Sequence, residues 1–169
     1  MIDIDYFSNS RVEFFELMFH FIKLVKPENK KKIRLNILTT QQHVNFFTGF
    51  NNGRLGFEYN VVVFKDGFNY TDKLRHVINL SGDYSIKIDE DCFINNHIWD
   101  YLIENCNVLD DLNNLLVSPM LSTSQPSCDE FINGFLSEDE KSIIKAHLLA
   151  QKMPNGLFGV NYESLNEFT

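Results

Sequence analysis

From residue 10 onward the chain carries its apolar residues at helical spacing. Phe14, Phe15, Met18, Phe19, Ile22 and Val25 fall on one stripe, which predicts a helix over residues 10–26. Ser10 and Glu13 form a capping box at its start, and Pro27 ends it. The period then changes. Ile33, Leu35 and Ile37 alternate with Arg34 and Asn36, the pattern of a strand that ends in Thr39-Thr40-Gln41. A short helical turn is expected from Gln41 to Phe50, and Asn51-Asn52-Gly53 marks a loop. Tyr59 to Phe64 is the clearest strand of the chain, and Lys65-Asp66-Gly67 terminates it.

The second half repeats the alternation. Thr71 caps a helix holding Leu74, Val77, Ile78 and Leu80, which stops at Ser81-Gly82-Asp83 and gives way to a strand from Tyr84 to Ile88. The acidic run Asp89-Glu90-Asp91 sits at that strand's carboxyl end. Asn95 or Asn96 caps a helix through Trp99, Leu102 and Ile103, and Asn114 to Ser118 reads as a fourth strand, closed by Pro119. Helices are expected from Asp129 to Phe135 and from Ser137 to Lys152. Strands alternating with helices imply an α/β fold, a three-layer sandwich around a mainly parallel central sheet. Ile33 to Leu38, Tyr59 to Phe64 and Tyr84 to Ile88 are expected to be neighbours in that sheet. Ligands of such sheets lie at the carboxyl ends of the strands, where Thr39, Thr40, Asp66 and Asp89 to Asp91 all fall.

Composition narrows the function. The 169 residues fit one domain, and 44 % apolar residues with 16 Phe supply a core. A net charge of -8 lacks the broad basic face that a nucleic-acid backbone requires, and the run Lys30-Lys31-Lys32 with Arg34 reads first as a solvated linker. Cys92, Cys106 and Cys128 are few, odd in number and far apart, so a reducing, cytoplasmic location is the expectation. Asp3 and Asp5 interrupt the N-terminus, so no signal peptide is read there. Val12 to Val25 is too short and too charged for a bilayer span.

Two carboxylates one residue apart at a strand end project to the same side, and without nearby cations they repel each other. A divalent cation removes that cost, and hard oxygen ligands suit Mg²⁺ or Mn²⁺ held jointly with a diphosphate. A solvated acidic turn is the structural alternative. Other chemistries fail on spacing. Twelve residues from Asp89 end at Asp100, with Phe93 and Ile94 at the fifth and sixth positions, so no EF-hand is present. The five His have no zinc spacing, and no phosphate-binding Gly-rich loop or nucleophile elbow occurs.

The order of helix, Gly82-Asp83-Tyr84, strand Ser85-Ile86-Lys87-Ile88, Asp89-Glu90-Asp91 and apolar Phe93-Ile94 resembles the Asp-x-Asp segment of GT-A glycosyltransferases. Upstream, Tyr59 to Gly67 and Ile33 to Gln41 look like that fold's second strand and its first strand with the nucleotide-binding loop. Downstream, Ser118 to Ser122 looks like the next strand and acceptor-side loop.

The resemblance covers residues 33 to 125. It implies one GT-A-like domain over 1–169: an N-terminal helical extension (1–30), a nucleotide-sugar-binding core (31–125) and a helical acceptor-side segment (126–169). It implies Thr39 and Thr40 on the base and ribose, Asp66 on uracil or ribose, Asp89 at the ribose or metal, and Asp91 on the metal. Lys73 and Arg75 are candidates for the diphosphate, though solvated helix positions suit them as well. Asp129 and Glu130, opening a helix, are candidate bases for an inverting transfer, and helix N-termini also attract acids for dipole reasons alone.

The implied partners are a nucleotide-sugar donor, UDP-sugar favoured, and a carbohydrate or other hydroxyl acceptor. GT-A enzymes commonly run longer, so a partner chain or a missing C-terminal part would complete the site. Two other classes stay open: a nucleotidyltransferase on a related sheet, and a non-catalytic interaction module that keeps the fold.

Overall fold

A computed structural model describes residues 1–111 except 9–11, 13, 52, 66–69, 81, 91 and 93, together with 137–139 and 142. The chain divides into two compact units, Met1–Leu115 and Leu116–Thr169, and the described architecture is that of the first. The strand expected at Asn114 to Ser118 and the helix from Asp129 lie outside the described residues, as does nearly all of the helix from Ser137.

Four strands, β1 (Ile2–Phe7), β2 (Ile33–Thr40), β3 (Glu58–Phe64) and β4 (Tyr84–Asp89), form one sheet in the order β3-β2-β1-β4, and every pairing is parallel. Among the described residues of this unit, five helices flank it: α1 (Phe14–Ile22), α2 (Pro27–Lys30), α3 (Val44–Thr48), α4 (Tyr70–Ile78) and α5 (Asn96–Glu104). The α/β class and the parallel sheet follow the sequence pattern. The neighbour relations do not: β2 and β3 are adjacent, but β1 stands between β2 and β4. Residues 1–30 are therefore not simply a helical extension, because their first strand is central to the sheet.

The two faces of the sheet differ in chemistry. Ile2, Ile4 and Tyr6 of β1, Ile33, Leu35 and Ile37 of β2, Tyr59 of β3 and Ile88 of β4 pack with Phe15, Met18, Phe19 and Ile22 of α1, Phe47 of α3 and Trp99 and Ile103 of α5. Phe15, Met18, Phe19 and Ile22 of the apolar stripe thus form the packing face of α1. Phe15 sits among rings, with Phe47 at 4.9 Å, Phe50 at 5.0 Å and Tyr6 at 5.2 Å between centroids. The Asn95 side chain accepts from the Ile98 backbone N–H at 2.9 Å, which fixes the start of α5.

The opposite face carries the intervening residues of the same strands, and at its amino-terminal half they are polar. Arg34 donates to both Asp3 oxygens, from Nε at 2.6 Å and Nη2 at 2.9 Å, and the Gly82 N–H donates to the same carboxylate at 3.0 Å. A Cβ at Gly82, four residues beyond the end of α4, would collide with that carboxylate, so any side chain there would displace it from its bonds. The Asn36 amide donates to Asp3 at 3.2 Å and to Asp5 at 3.0 Å while its oxygen accepts from Asn60 at 3.1 Å. Ser85 completes the set with a 2.6 Å bond to Asp5. Buried acids in a parallel sheet are tolerable because each oxygen finds a donor.

Asp3 and Asp5 respond oppositely to this setting. Burial by itself would raise Asp3, but its bonds from Arg34 and Asn36 hold it below the ordinary carboxylate range. Burial dominates at Asp5 and pushes it above that range, in spite of the bonds from Ser85 and Asn36. A raised folded-state pKa means the stabilising contribution is complete below the unfolded value and lost as pH rises through the folded one. Ionised Asp5 therefore costs stability at neutral pH. Asp5→Asn keeps an oxygen for Asn36, and the Ser85 hydroxyl turns to accept. We expect the variant to be more stable than the parent by about 1 kcal/mol at pH 7, an advantage that vanishes toward pH 4. Urea denaturation at both pH values measures it; an equal or larger advantage at the acid end would contradict the assignment.

Candidate functional site

The three connections, β1 to β2, β2 to β3 and β3 to β4, do not run in one direction across the sheet. The first two step outward from β1 to β3, and the third returns across β2 and β1 to place β4 on the far side. The switch point of the sheet is thus between β1 and β4, and the crevice outside their carboxyl ends is where open α/β sheets bind ligands. Ser8 follows β1 there, Thr39 and Thr40 close β2, and Asp89 closes β4 with Glu90 just beyond it.

Ser8 extends the ladder, its N–H donating to the Leu38 carbonyl at 3.0 Å. Its side chain is buried, as is that of Thr39, and neither hydroxyl has a hydrogen-bond partner among the described residues. Each can both donate and accept, so two such groups at adjacent strand ends have unused capacity for a polar ligand. Thr40 is half-buried and leads into the turn Gln41–His43 without capping it. Beside it, a hollow of about 400 Å³ is lined by Gln41, Val63, Phe64 and Lys65.

The acidic run is anchored on both sides. Tyr6 donates its hydroxyl to the Glu90 carbonyl at 3.1 Å, and the Cys92 N–H donates to the Asp89 carbonyl at 3.0 Å. Asp89 shares the polar face with Lys87, two residues earlier, and the two form an ion pair with the carboxylate 47 % exposed. Burial alone would lower the Lys87 pKa, yet its bonds to Asp89 and Tyr70 raise it above the ordinary value. Glu90, by contrast, is only 6 % exposed. The self-repulsion expected of the run is therefore reduced by the protein's own cations.

Lys73 is the second of these cations and not a solvated helix position. It is 2 % exposed, its ammonium donates to the Ser8 carbonyl at 2.7 Å, and it lies 5.8 Å from the centre of the Phe7 ring. Burial lowers its pKa, while the charges of Glu90 and Asp89 oppose the shift. Arg75 is exposed and pairs with Asp72 at 3.3 Å. Of the other sequence-derived candidates, Asp66, Asp91, Asp129 and Glu130 lie outside the described residues. Thr39, Thr40, Lys73 and Asp89 do gather at one end of the sheet. Ser8 and Tyr6 were not singled out from the sequence, although the alternation Ile2-Asp3-Ile4-Asp5-Tyr6 is a strand signal that would have led to them.

Among the described residues no group of three or more His, Cys, Asp or Glu converges to hold a metal ion, and no helix is long and apolar enough to cross a membrane. Cys92 and Cys106 are half-buried, and the Cys106 thiol donates to the Ile103 carbonyl at 3.4 Å. Compared with family models, curated proteins and solved structures, the chain matches none.

Proposed function

We propose that this chain is the nucleotide-sugar-binding part of a metal-dependent glycosyltransferase of the GT-A type, moving a sugar from a nucleoside-diphosphate donor, UDP-sugar favoured, to a hydroxyl acceptor. One observation supports the reading above others. The strand order sets the switch point beside the acidic run, with the buried hydroxyls of Ser8 and Thr39, unpartnered among the described residues, at the same edge.

In this reading Ser8, Thr39, Thr40 and Asp66 meet the base and ribose, and Asp89 with Asp91 holds Mn²⁺ or Mg²⁺. The donor chemistry fits a hard cation: Asp89 offers carboxylate oxygens, is half-exposed, and pairs with Lys87 in an i,i+2 ion pair of modest strength. The cation would act as a Lewis acid toward the departing diphosphate. Asp129 and Glu130 are the candidates to take the acceptor's proton. Lys73 is too enclosed to be a free diphosphate ligand and acts through the strand ends it contacts.

UDP with Mn²⁺ is expected to raise the melting temperature by several degrees, the effect of about 3 kcal/mol at a hundredfold excess over Kd, and UDP with chelator by less. A melting temperature unmoved by any nucleoside diphosphate in either metal sinks the transferase. The second reading, an interaction module, would then stand, and the pairing of Asp89 with Lys87 already favours it.

A further inference from the structure

The helix that crosses the polar face is held in an unusual way. Of its nine residues Lys73 alone is fully buried, while Tyr70, Thr71, Arg75 and Ile78 are exposed. Little apolar area therefore docks α4. Its contacts with the sheet include the ring contacts Phe7 to Tyr70 at 5.5 Å and Phe64 to His76 at 5.5 Å, the approach of the Lys87 ammonium to the Tyr70 ring, and the ammonium of Lys73. An ammonium taken out of water is costly unless charges and acceptors surround it. Here the acceptor is the carbonyl at the end of β1 and the charges are those at the end of β4.

We propose that Lys73 is a positioning residue for the carboxyl-end site. Its ammonium joins the Ser8 carbonyl of β1 to the acidic run of β4, so that docking of α4 and the geometry of that run are one equilibrium. This coupling is a property of the ligand-free protein. Only its consequence for donor binding rests on the transferase reading.

Backbone amide spectra and hydrogen exchange of the full chain, for the parent, Lys73→Met and Lys73→Arg, test both levels. In the parent the Lys73 ammonium protons are expected to exchange slowly enough to be observed. In Lys73→Met, amides of Ser8, Asp89, Glu90 and α4 should shift together, and α4 should exchange about tenfold faster while α1 and α5 do not. Lys73→Arg should restore much of the α4 protection, which a mere loss of packing would not predict for a larger side chain. Where UDP with Mn²⁺ binds the parent, Lys73→Met should weaken it about tenfold or more, and Lys73→Arg by less.

Unshifted Ser8, Asp89 and Glu90 amides, or faster exchange spread equally over α1 and α5, overturn the proposal. Should Lys73→Met not fold, rapidly exchanging ammonium protons in the parent overturn it by themselves. Absence of UDP binding to the parent removes the transferase and leaves these ligand-free outcomes to decide the role of Lys73.

Discussion

Asn36→Asp is expected to destabilise the protein by about 3–5 kcal/mol at pH 7, a large share of a typical domain's stability. Asn36 lies at the middle of the polar face with 1 % of its surface exposed. Its amide nitrogen serves Asp3 and Asp5 at once, at 3.2 and 3.0 Å. An aspartate there withdraws both donors and adds a third carboxylate at hydrogen-bonding range from two others. Arg34, the guanidinium on this face, is already bound to Asp3 through two nitrogens. Asn36→Leu separates the two losses: it removes the donors without adding charge and should cost about 1–3 kcal/mol. The gap between the Asp and Leu variants should close as pH falls, since protonation removes the added charge. Urea midpoints across pH 4 to 7 measure both. An Asn36→Asp variant within 1 kcal/mol of the parent would mean that the two acids do not share this amide in solution.

That face also explains what the sequence revealed and what it withheld. The strands β2, β3 and β4 and the capped start of α5 are written in neighbouring residues: Ile33, Leu35 and Ile37 in alternation, the Val61-Val62-Val63 run, and Asn95 ahead of its helix. The strand β1 alternates as cleanly, but its alternate residues are Asp3 and Asp5, which by themselves argue against burial. What makes them tolerable is remote in sequence, Arg34 and Asn36 about thirty residues on and Ser85 eighty. The same distance hid part of the candidate site. Thr39 and Asp89 are legible as strand-end residues, whereas Ser8 follows only once β1 is known to be central. In a plain extended chain Glu90 turns away from its acidic neighbours. Its actual surroundings depend on Lys73, which α4 delivers from across the sheet.

From that difference comes a reversal of the expected order of effects within the acidic run. Taken as a plain extended chain, Asp89-Glu90-Asp91 would make Glu90→Gln the mild substitution. In the folded protein Glu90 is buried and contributes to the field that holds the Lys73 ammonium out of water, while Asp89 is half-exposed and meets Lys87 near the surface. Removing charge from a buried setting leaves its counter-charge uncompensated, but removing it from an exposed pair does little. Glu90→Gln is therefore expected to cost about 2–3 kcal/mol of folding stability at pH 7, and Asp89→Asn less than about 1 kcal/mol. Donor binding should show the opposite emphasis if Asp89 is a metal ligand: Asp89→Asn should lose the Mn²⁺-dependent part of the UDP-induced stabilisation, and Glu90→Gln should keep it once its lower starting stability is subtracted. Thermal unfolding of both variants with UDP, in Mn²⁺ and in chelator, reads the two properties in one experiment. Equal stabilities for the two variants would show that Glu90 does not sustain Lys73. An Asp89→Asn protein with undiminished Mn²⁺ dependence would remove Asp89 from the metal site and shift that role to other carboxylates of the chain.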